Sequence, residues 1–281
     1  MLRLLCRQSS IFLKAKKKPT KRETPLVSII TPTFNSEKYI AETIRSVQSQ
    51  TYSNWEMLIV DDCSTDDTEK IISGFIRDDR RINFHQLLKN SGAGVARNQA
   101  VLLAGGRFIA FLDSDDLWKP EKLAKQVDFL LSGNVPFTFS FYDCIDEEGN
   151  ALNLRIEAPK TLRYFQLYFC NFVGNLTGIY DVNFFGKIPI SGVRKRQDWM
   201  VWLTVLKKIR KAKPVPESLA FYRIRKNSVS SSKWTLLQHN YAVYRLHHKL
   251  NVAASLVCMM GFLFTQLFVK PTYSRKITPA T

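Results

Sequence analysis

Short runs of β-branched and aromatic residues recur through the first half of the chain with amphipathic segments between them, and this alternation restricts the fold more than any other property of the sequence. VSIIT (27–31), EMLIV (56–60), INFHQL (82–87), RFIAFL (107–112) and FTFSFY (137–142) have the length and composition of buried strands. The segments 37–49, 66–76, 92–103 and 120–131 repeat apolar residues at helical spacing, as Ile40, Ile44 and Val47 do in the first. Ser64 followed by Asp67 reads as a capping box for the second helix, and Pro120 suits a first helical position in the fourth. Strand and helix in alternation predict an α/β fold built on a mostly parallel, Rossmann-like sheet flanked by helices. Sheets of this kind bind ligands outside the carboxyl ends of their strands.

What leaves those ends is polar. The first strand runs into PTFN (32–35), the second into DDCSTDDT (61–68) and the fourth into DSDD (113–116). One acidic turn is ordinary loop chemistry, but several on one edge mark a ligand site. In an extended segment residues two apart share a face, so Asp113 and Asp115 point the same way. Magnesium and manganese take oxygen ligands, commonly one or two carboxylates completed by water and substrate phosphates. The expected occupant is a divalent metal (Mn or Mg) carrying a diphosphate. Neither GxxxxGK[ST] nor GxGxxG occurs, and the first strand-to-helix turn, TPTFNSEKY, has no glycine. P-loop, dinucleotide and nucleotidyltransferase readings are therefore poor.

VSIITPTFN, IVDDCSTDDT, NSGAGVARNQAVLLAGGRFIAFLDSDDLWKPEKL and RQDWMVWL (196–203) follow one another as the successive motifs of family 2 glycosyltransferases with the GT-A fold do, and the chain resembles that family. The resemblance is dense from about residue 25 to 132 and recurs in pieces to about 233. Its nearest flavour is the bacterial group that builds capsules, teichuronic acids and lipopolysaccharide, where YRIRKNSVSSSK (222–233) also has a counterpart. It implies a metal-dependent, inverting hexosyltransferase that moves a sugar from a nucleotide diphosphate donor, expected to be a UDP-sugar, to a glycan or lipid-linked acceptor, with no nucleic-acid partner.

Residue by residue, the resemblance implies that Pro32, Thr33 and Asn35 line the nucleoside pocket and that Asp62 accepts a hydrogen bond from the base. Arg97 and Asn98 would lie by the base and diphosphate near a helix start, where a guanidinium and free amides favour anions. Asp113 and Asp115 would be the metal pair, Asp115 binding directly and Asp113 through ribose or a metal-bound water, while Asp116 orders the loop. An acceptor hydroxyl needs a general base, and the candidate is Asp198; the family often has Glu-Asp here, and this chain has Gln197. The other reading of Asp198 is a cap for the helical stretch 200–208. GNLTGIYD (174–181) would face the acceptor, and Arg223, Arg225 and Lys226 would close over phosphate. Phe165, Tyr168, Phe169 and Phe172 read as a helix face turned to the core. The expected organisation is a basic N-terminal arm (1–24), a nucleotide-sugar-binding half (25–142), an acceptor half (143–233) and a membrane-associating helical tail (234–281).

The 281 residues carry a formal charge of +17, which points to an anionic lipid surface, a phosphate-bearing substrate or nucleic acid as neighbour. Residues 1–22 hold basic but no acidic side chains; membrane contact, a disordered basic tail and a mitochondrial presequence all fit, whereas Arg7 breaks the apolar run a secretory signal would need. The cysteines are scattered with no CxxC pair, so no disulfide framework or thiolate zinc site is expected and a reducing cytoplasm fits best. Leu250 to Val269 is uncharged and long enough to span a bilayer. Basic residues flank both sides, which favours an in-plane or re-entrant helix over a span or a buried core helix. The cytoplasmic face of the inner membrane is the expected location. A catalytically silent, sugar-nucleotide-binding membrane scaffold is the alternative to an enzyme.

Overall fold

Every residue of strand β1 (Val27–Thr33) is buried, because it lies at the centre of a sheet covered on both faces. The computed structural model describes residues 24–191, 195–225 and 233–278, so the basic arm expected at 1–24, except its last residue, and Lys226, expected to close over phosphate, lie outside the described residues. β2 (Trp55–Asp61) and β4 (Phe108–Phe111) flank β1 in parallel, and β3 (Ile82–Gln86) continues the sheet beyond β2. Helices α1 (Ile40–Gln48), α2 (Thr68–Asp78), α3 (Ala93–Leu103) and α4 (Lys122–Gly133) connect or follow these strands. Alternation along β1 and β2 sorts the core: Ile30, Leu58 and Val60 meet Ala96 and Ala100 of α3, whereas Ile29, Met57 and Ile59 meet Ile40, Ile44 and Val47 of α1.

Local start signals were less reliable than periodicity. The expected capping box does not form, since the Ser64 hydroxyl is drawn to Asp61 and the first amide of α2, Thr68, is accepted by Asp66. Pro120 sits in the turn before α4, its carbonyl accepting the amide of Thr51.

The run 137–142 is not one strand. Phe137–Thr138 forms β6 in the large sheet, and after Phe139 the chain leaves as β7 (Ser140–Ile145) in a second sheet. The crossing follows from a distant pairing: the amide of Val215 donates to the carbonyl of Phe139, and β7 runs parallel to β12 (Val215–Arg223). β10 (Ile179–Asp181) inserts antiparallel between β4 and β6, giving the order β3-β2-β1-β4-β10-β6. The second sheet adds β5 (Leu117–Trp118), β8 (Ala151–Ile156) and β13 (Ser274–Lys276) in the order β13-β8-β7-β12-β5. The DSDD turn lies between β4 of one sheet and β5 of the other. A short ribbon pairs β9 (Leu162–Arg163) with β11 (Lys211–Ala212).

Helix α7 (Gln197–Ile209) is buried along most of its length, including Trp199, Trp202 and Leu206. The Trp202 ring meets Phe111 edge-on at 5.7 Å and lies 5.3 Å from Phe137. Gly178 lies so close to this ring that a Cβ there would overlap it. Gly178→Ala should therefore overpack the core and cost about 1–3 kcal/mol. A lower urea midpoint with unchanged slope checks this, and an unchanged midpoint would contradict it.

Helices α5 (Tyr164–Phe169), α6 (Val182–Phe185), α8 (Lys233–Ala242) and α9 (Val252–Phe264) complete the fold. Tyr168 packs among Tyr164, Phe169 and Tyr244, as expected of a core face, and Phe172 is buried, but Phe165 is exposed. α9 continues through wider turns at 265–269 and a tight turn at 270–273 into β13. Its inner side rests on the body, with Phe262 against Trp199 and Gly261 against Phe169. Its outer side shows Leu256, Met260, Phe264, Leu267 and Phe268, each more than half exposed.

Candidate functional site

The polar turns from β1, β2 and β4 converge on a cleft of about 530 Å³, closed on the far side by the start of α7, the loop after α5 and the tight turn after α9. Pro32, Thr33, Asp62, Arg97, Asp113, Asp115, Asp198, Arg223 and Arg225 all border it. Thr33 contributes a buried hydroxyl with no hydrogen-bond partner among the described residues, an open polar group of the kind a ligand completes. Asn35 does not line the cleft. Its amide donates to the Ser64 hydroxyl and its side-chain oxygen accepts the amide of Thr65 at 2.9 Å, so it ties the β1 and β2 turns together.

The adjacent carboxylates Asp61 and Asp62 differ in use. Asp61 is fully buried and accepts from Ser64 and Gln86, which makes it a brace. Asp62 accepts the amides of Ser91 at 2.6 Å and Gly92 at 2.7 Å. Gly92 has a φ of +90°, open to glycine without strain, and that turn aims both amides at one carboxylate. Each Asp62 oxygen keeps a second lone pair for a ligand at the cleft.

Arg97 projects from α3 between two walls. One terminal nitrogen donates to Asp113 Oδ1 at 2.6 Å and the other to Gln197 Oε1 at 2.7 Å. Burial works against its charge, but the Asp113 carboxylate outweighs burial and holds the guanidinium above its ordinary pKa. Asn98 faces away from the cleft, where its amide donates to and accepts from the backbone of Ile190.

In the DSDD turn Asp113 also accepts from Asn175 at 3.1 Å, and Asp115 Oδ2 pairs with Arg225 at 3.1 Å. Burial, and then the charge of Asp113, push the Asp115 carboxyl above its usual range. Asp116 is buried and accepts the amide of Arg223, which fits its expected role of ordering the loop; burial pushes its carboxyl well up. Among the described residues no three His, Cys, Asp or Glu side chains converge to hold a metal by themselves. The donor set still suits magnesium or manganese. Two mutually repelling carboxylates border a cleft, Asp113 engaged through Oδ1 and Asp115 through Oδ2 among the described residues, and such ions complete their shell with water and substrate phosphates.

Arg223 corrects an expectation. Its Nε donates to the Asp115 carbonyl at 2.8 Å, one terminal nitrogen to the Glu147 carbonyl at 3.0 Å and the other to Glu42 at 2.6 Å, with Tyr39 beneath. A guanidinium with those partners braces the turn at the cleft border, where closing over a phosphate was the expected role. Arg225 also borders the cleft, held by Asp115 and over the same tyrosine at 5.7 Å.

Asp198 lies in the first turn of α7, after the Arg196 cap, where a negative charge suits the helix dipole. Asn171 donates to its Oδ2 at 2.8 Å. Burial pushes its carboxyl above the ordinary value against the opposing pull of Arg196, the Trp199 amide and Arg97. Asn171 and Asn175 thus hold the Asp198 and Asp113 carboxylates at the cleft; Asn175 belongs to the GNLTGIYD segment expected to face the acceptor, whereas Asn171, in an uncharged loop, did not stand out in the sequence. Lys270 and Tyr273 border the cleft from the tight turn after α9; the sequence shows Lys270 only as one of the basic residues that flank the apolar stretch.

The profile of the family described as "Glycosyl transferase family 2" matches residues 28–188. A Bacillus subtilis (strain 168) protein, TuaG, whose name assigns it to teichuronic acid biosynthesis, is 42% identical over 238 residues, covering 85% of this chain and 94% of its own. The Escherichia coli protein WfgD, named as a UDP-Glc:alpha-D-GlcNAc-diphosphoundecaprenol beta-1,3-glucosyltransferase, is 37% identical over 222 residues, 78% of this chain and 85% of its own. Among solved structures, residues 1–349 of S. aureus TarS with UDP-GlcNAc match with a TM-score of 0.67 at 24% identity, covering 88% of this chain and 74% of that one. The Pyrobaculum calidifontis mannosyltransferase PcManGT with GDP-Man and Mn2+ matches at a TM-score of 0.61 and 17% identity, covering 89% and 72%. These structural matches speak for the fold.

Proposed function

The chain belongs to glycosyl transferase family 2, and we propose that it transfers a sugar from a UDP-sugar, with inversion, to a lipid-linked glycan during assembly of a cell-surface polysaccharide. One observation carries the reading: the Asp113–Asp115 pair, at the end of β4, and the half-buried Asp198, from the first turn of α7, border one cleft. The relative TuaG is named for teichuronic acid biosynthesis, and WfgD for a UDP-sugar donor and a lipid diphosphate acceptor.

In this reading the nucleoside lies against Pro32, Thr33 and Asp62, and Asp115 with Asp113 holds a divalent ion. That ion supplies charge neutralisation for the departing diphosphate. Arg97 keeps Asp113 in place and adds positive charge near the phosphates, and Arg225 is free to turn from Asp115 toward them. The anomeric carbon–phosphate oxygen bond breaks and its electron pair leaves with the nucleoside diphosphate. The acceptor oxygen forms the new bond, and its proton passes to Asp198, whose carboxylate Asn171 aims. Residues 25–142 form the donor half, 143–233 the acceptor half and 234–281 the membrane-associating tail.

The tail supports work at the cytoplasmic face of the membrane. The apolar helical stretch from Val252 to Tyr273 would be long enough to cross a bilayer. Its far end, however, returns as β13 to hydrogen-bond with β8 of the body, so a crossing would pull that pairing across the membrane. An in-plane helix with its exposed apolar side in the lipid keeps both ends on one side.

The purified protein should slowly hydrolyse one member of a panel of UDP-, GDP- and dTDP-sugars in the presence of manganese and stop when the metal is chelated. Water replaces the acceptor in this assay, so no acceptor need be known. Absence of donor binding and hydrolysis across the panel would favour the silent scaffold.

A further inference from the structure

The exposed apolar helix and the cleft share a wall. Immediately after the outward-facing Leu267 and Phe268, the chain turns so that Lys270 and Tyr273 border the cleft. The turn is pinned on both sides: the Glu157 amide donates to the Tyr273 carbonyl at 2.8 Å, and the Tyr273 ring stands edge-on to Phe172 at 5.5 Å. The residue that follows enters β13, paired with β8. Lys270 therefore sits at a fixed point where a lipid-facing surface ends and a catalytic wall begins.

The charge there is arranged for an anion. Lys270 is half-buried, and among the described residues its ammonium has no carboxylate partner. Its field reaches the neighbouring Cys170 thiol, as does that of Arg196. Lys195 and Arg196 border the cleft next to Asp198, and Arg196 donates through its Nε to Asn240 at 2.7 Å. Glu157 is the acidic group on this wall beside Asp198, and Arg275 lies 3.5 Å from it.

We propose that Lys270, with Arg196 and Lys195, forms the subsite for the phosphate of an acceptor whose sugar is joined through phosphate to a long apolar chain. The inference rests on the transfer reading and names the acceptor's anchoring group. The apolar chain of the acceptor stays in the membrane beside α9, its phosphate meets Lys270 at the level where the helix leaves the lipid, and its sugar reaches Asp198. An in-plane helix lies at the headgroup boundary, which is where the phosphate of a membrane-borne lipid lies. A half-buried ammonium gives a stronger charge-assisted contact there than the more exposed basic residues of β13.

Flotation of the full chain with phosphatidylcholine vesicles tests this, using three additives: a long-chain polyprenyl diphosphate, the corresponding polyprenol, and phosphatidylglycerol matched to the first in surface charge. The wild type should bind the diphosphate vesicles more tightly than the other two. Lys270→Gln should lower binding to the diphosphate vesicles about tenfold, the scale of one charge-assisted hydrogen bond. It should leave binding to phosphatidylglycerol vesicles within about twofold, because the apolar face, Arg275 and Lys276 remain, and Lys270→Arg should restore most of the diphosphate preference. The idea is overturned if Lys270→Gln keeps the wild-type preference, or if the wild type treats diphosphate and phosphatidylglycerol vesicles alike, which would make the wall a general anionic-lipid contact. Nucleotide-sugar hydrolysis by the same wild-type preparation is read separately: its absence would sink the transfer reading and leave the vesicle comparison to decide the subsite.

Discussion

Asp198→Asn should leave nucleotide and metal affinity near the wild-type value while lowering sugar transfer by at least about a hundredfold, the lower end of what removing a general base costs. The two properties separate because Asp198 enters the cleft from α7, whereas Pro32, Thr33, Asp62, Asp113 and Asp115 enter from the carboxyl ends of the large sheet. The asparagine keeps the shape of the side chain and can still meet Asn171 through its oxygen, so α7 should start in the same place. Calorimetric donor binding beside product formation with a competent acceptor makes the comparison. Unchanged transfer would move the base elsewhere, and lost donor affinity would make Asp198 a structural residue.

A pH dependence accompanies this result. A general base must be ionised, and burial raises the Asp198 carboxyl above the ordinary carboxylate range. Transfer should therefore fall as the pH is lowered through a value above that range, and the fall should begin earlier on the way down than for an exposed aspartate. Asp198→Asn removes this limb together with the rate. An acid limb that persists in the variant would belong to another group.

Asp115→Ala is expected to remove the metal-dependent part of donor binding and to cut turnover by at least about a hundredfold, because a divalent ion contributes several kcal/mol of charge stabilisation at a leaving diphosphate. Donor binding measured with manganese and with chelator should differ in the wild type and coincide in the variant. Unfolding should not explain the loss. The folded protein raises the pKa of Asp115 through burial and Asp113, so above the ordinary carboxylate range its ionised form costs stability. Its pair with Arg225 is partly solvated and worth little. The variant without metal should melt close to the wild type; normal metal-dependent binding in it would show the site to be misassigned.

Much of the fold was legible because it rests on local repetition. A strand buried on both faces must be apolar throughout, and a helix covering it must be apolar every third or fourth residue, so β1 to β4 and α1 to α4 announce themselves within three residues of where they form. The acidic turns were legible for the same reason: once the strands run parallel, the turns at their carboxyl ends share an edge, and Asp62, Asp113 and Asp115 do border one cleft. The sequence also placed Asp116 in loop ordering, whereas Asp198, read as a cap for 200–208, lies inside the first turn of a helix that starts at Gln197 behind Arg196.

The tertiary structure decided what each side chain does with its hydrogen bonds. Arg223 and Arg225 are alike in the sequence and both border the cleft, yet Arg223 is held by Glu42, 181 residues away, and by the backbone of the DSDD turn, while Arg225 pairs with the Asp115 carboxylate. Asn35 and Asn98 went to backbone partners outside the cleft, while Asn171 and Asn175 were recruited to its two carboxylate walls. The break of 137–145 into β6 and β7 was set by β12, and the return of the apolar tail to the body by β8. Periodicity records which face of an element loses water, and a chain carries that locally. The partner that satisfies a buried polar group is chosen by contacts between segments far apart in sequence, and exists only once those segments have packed.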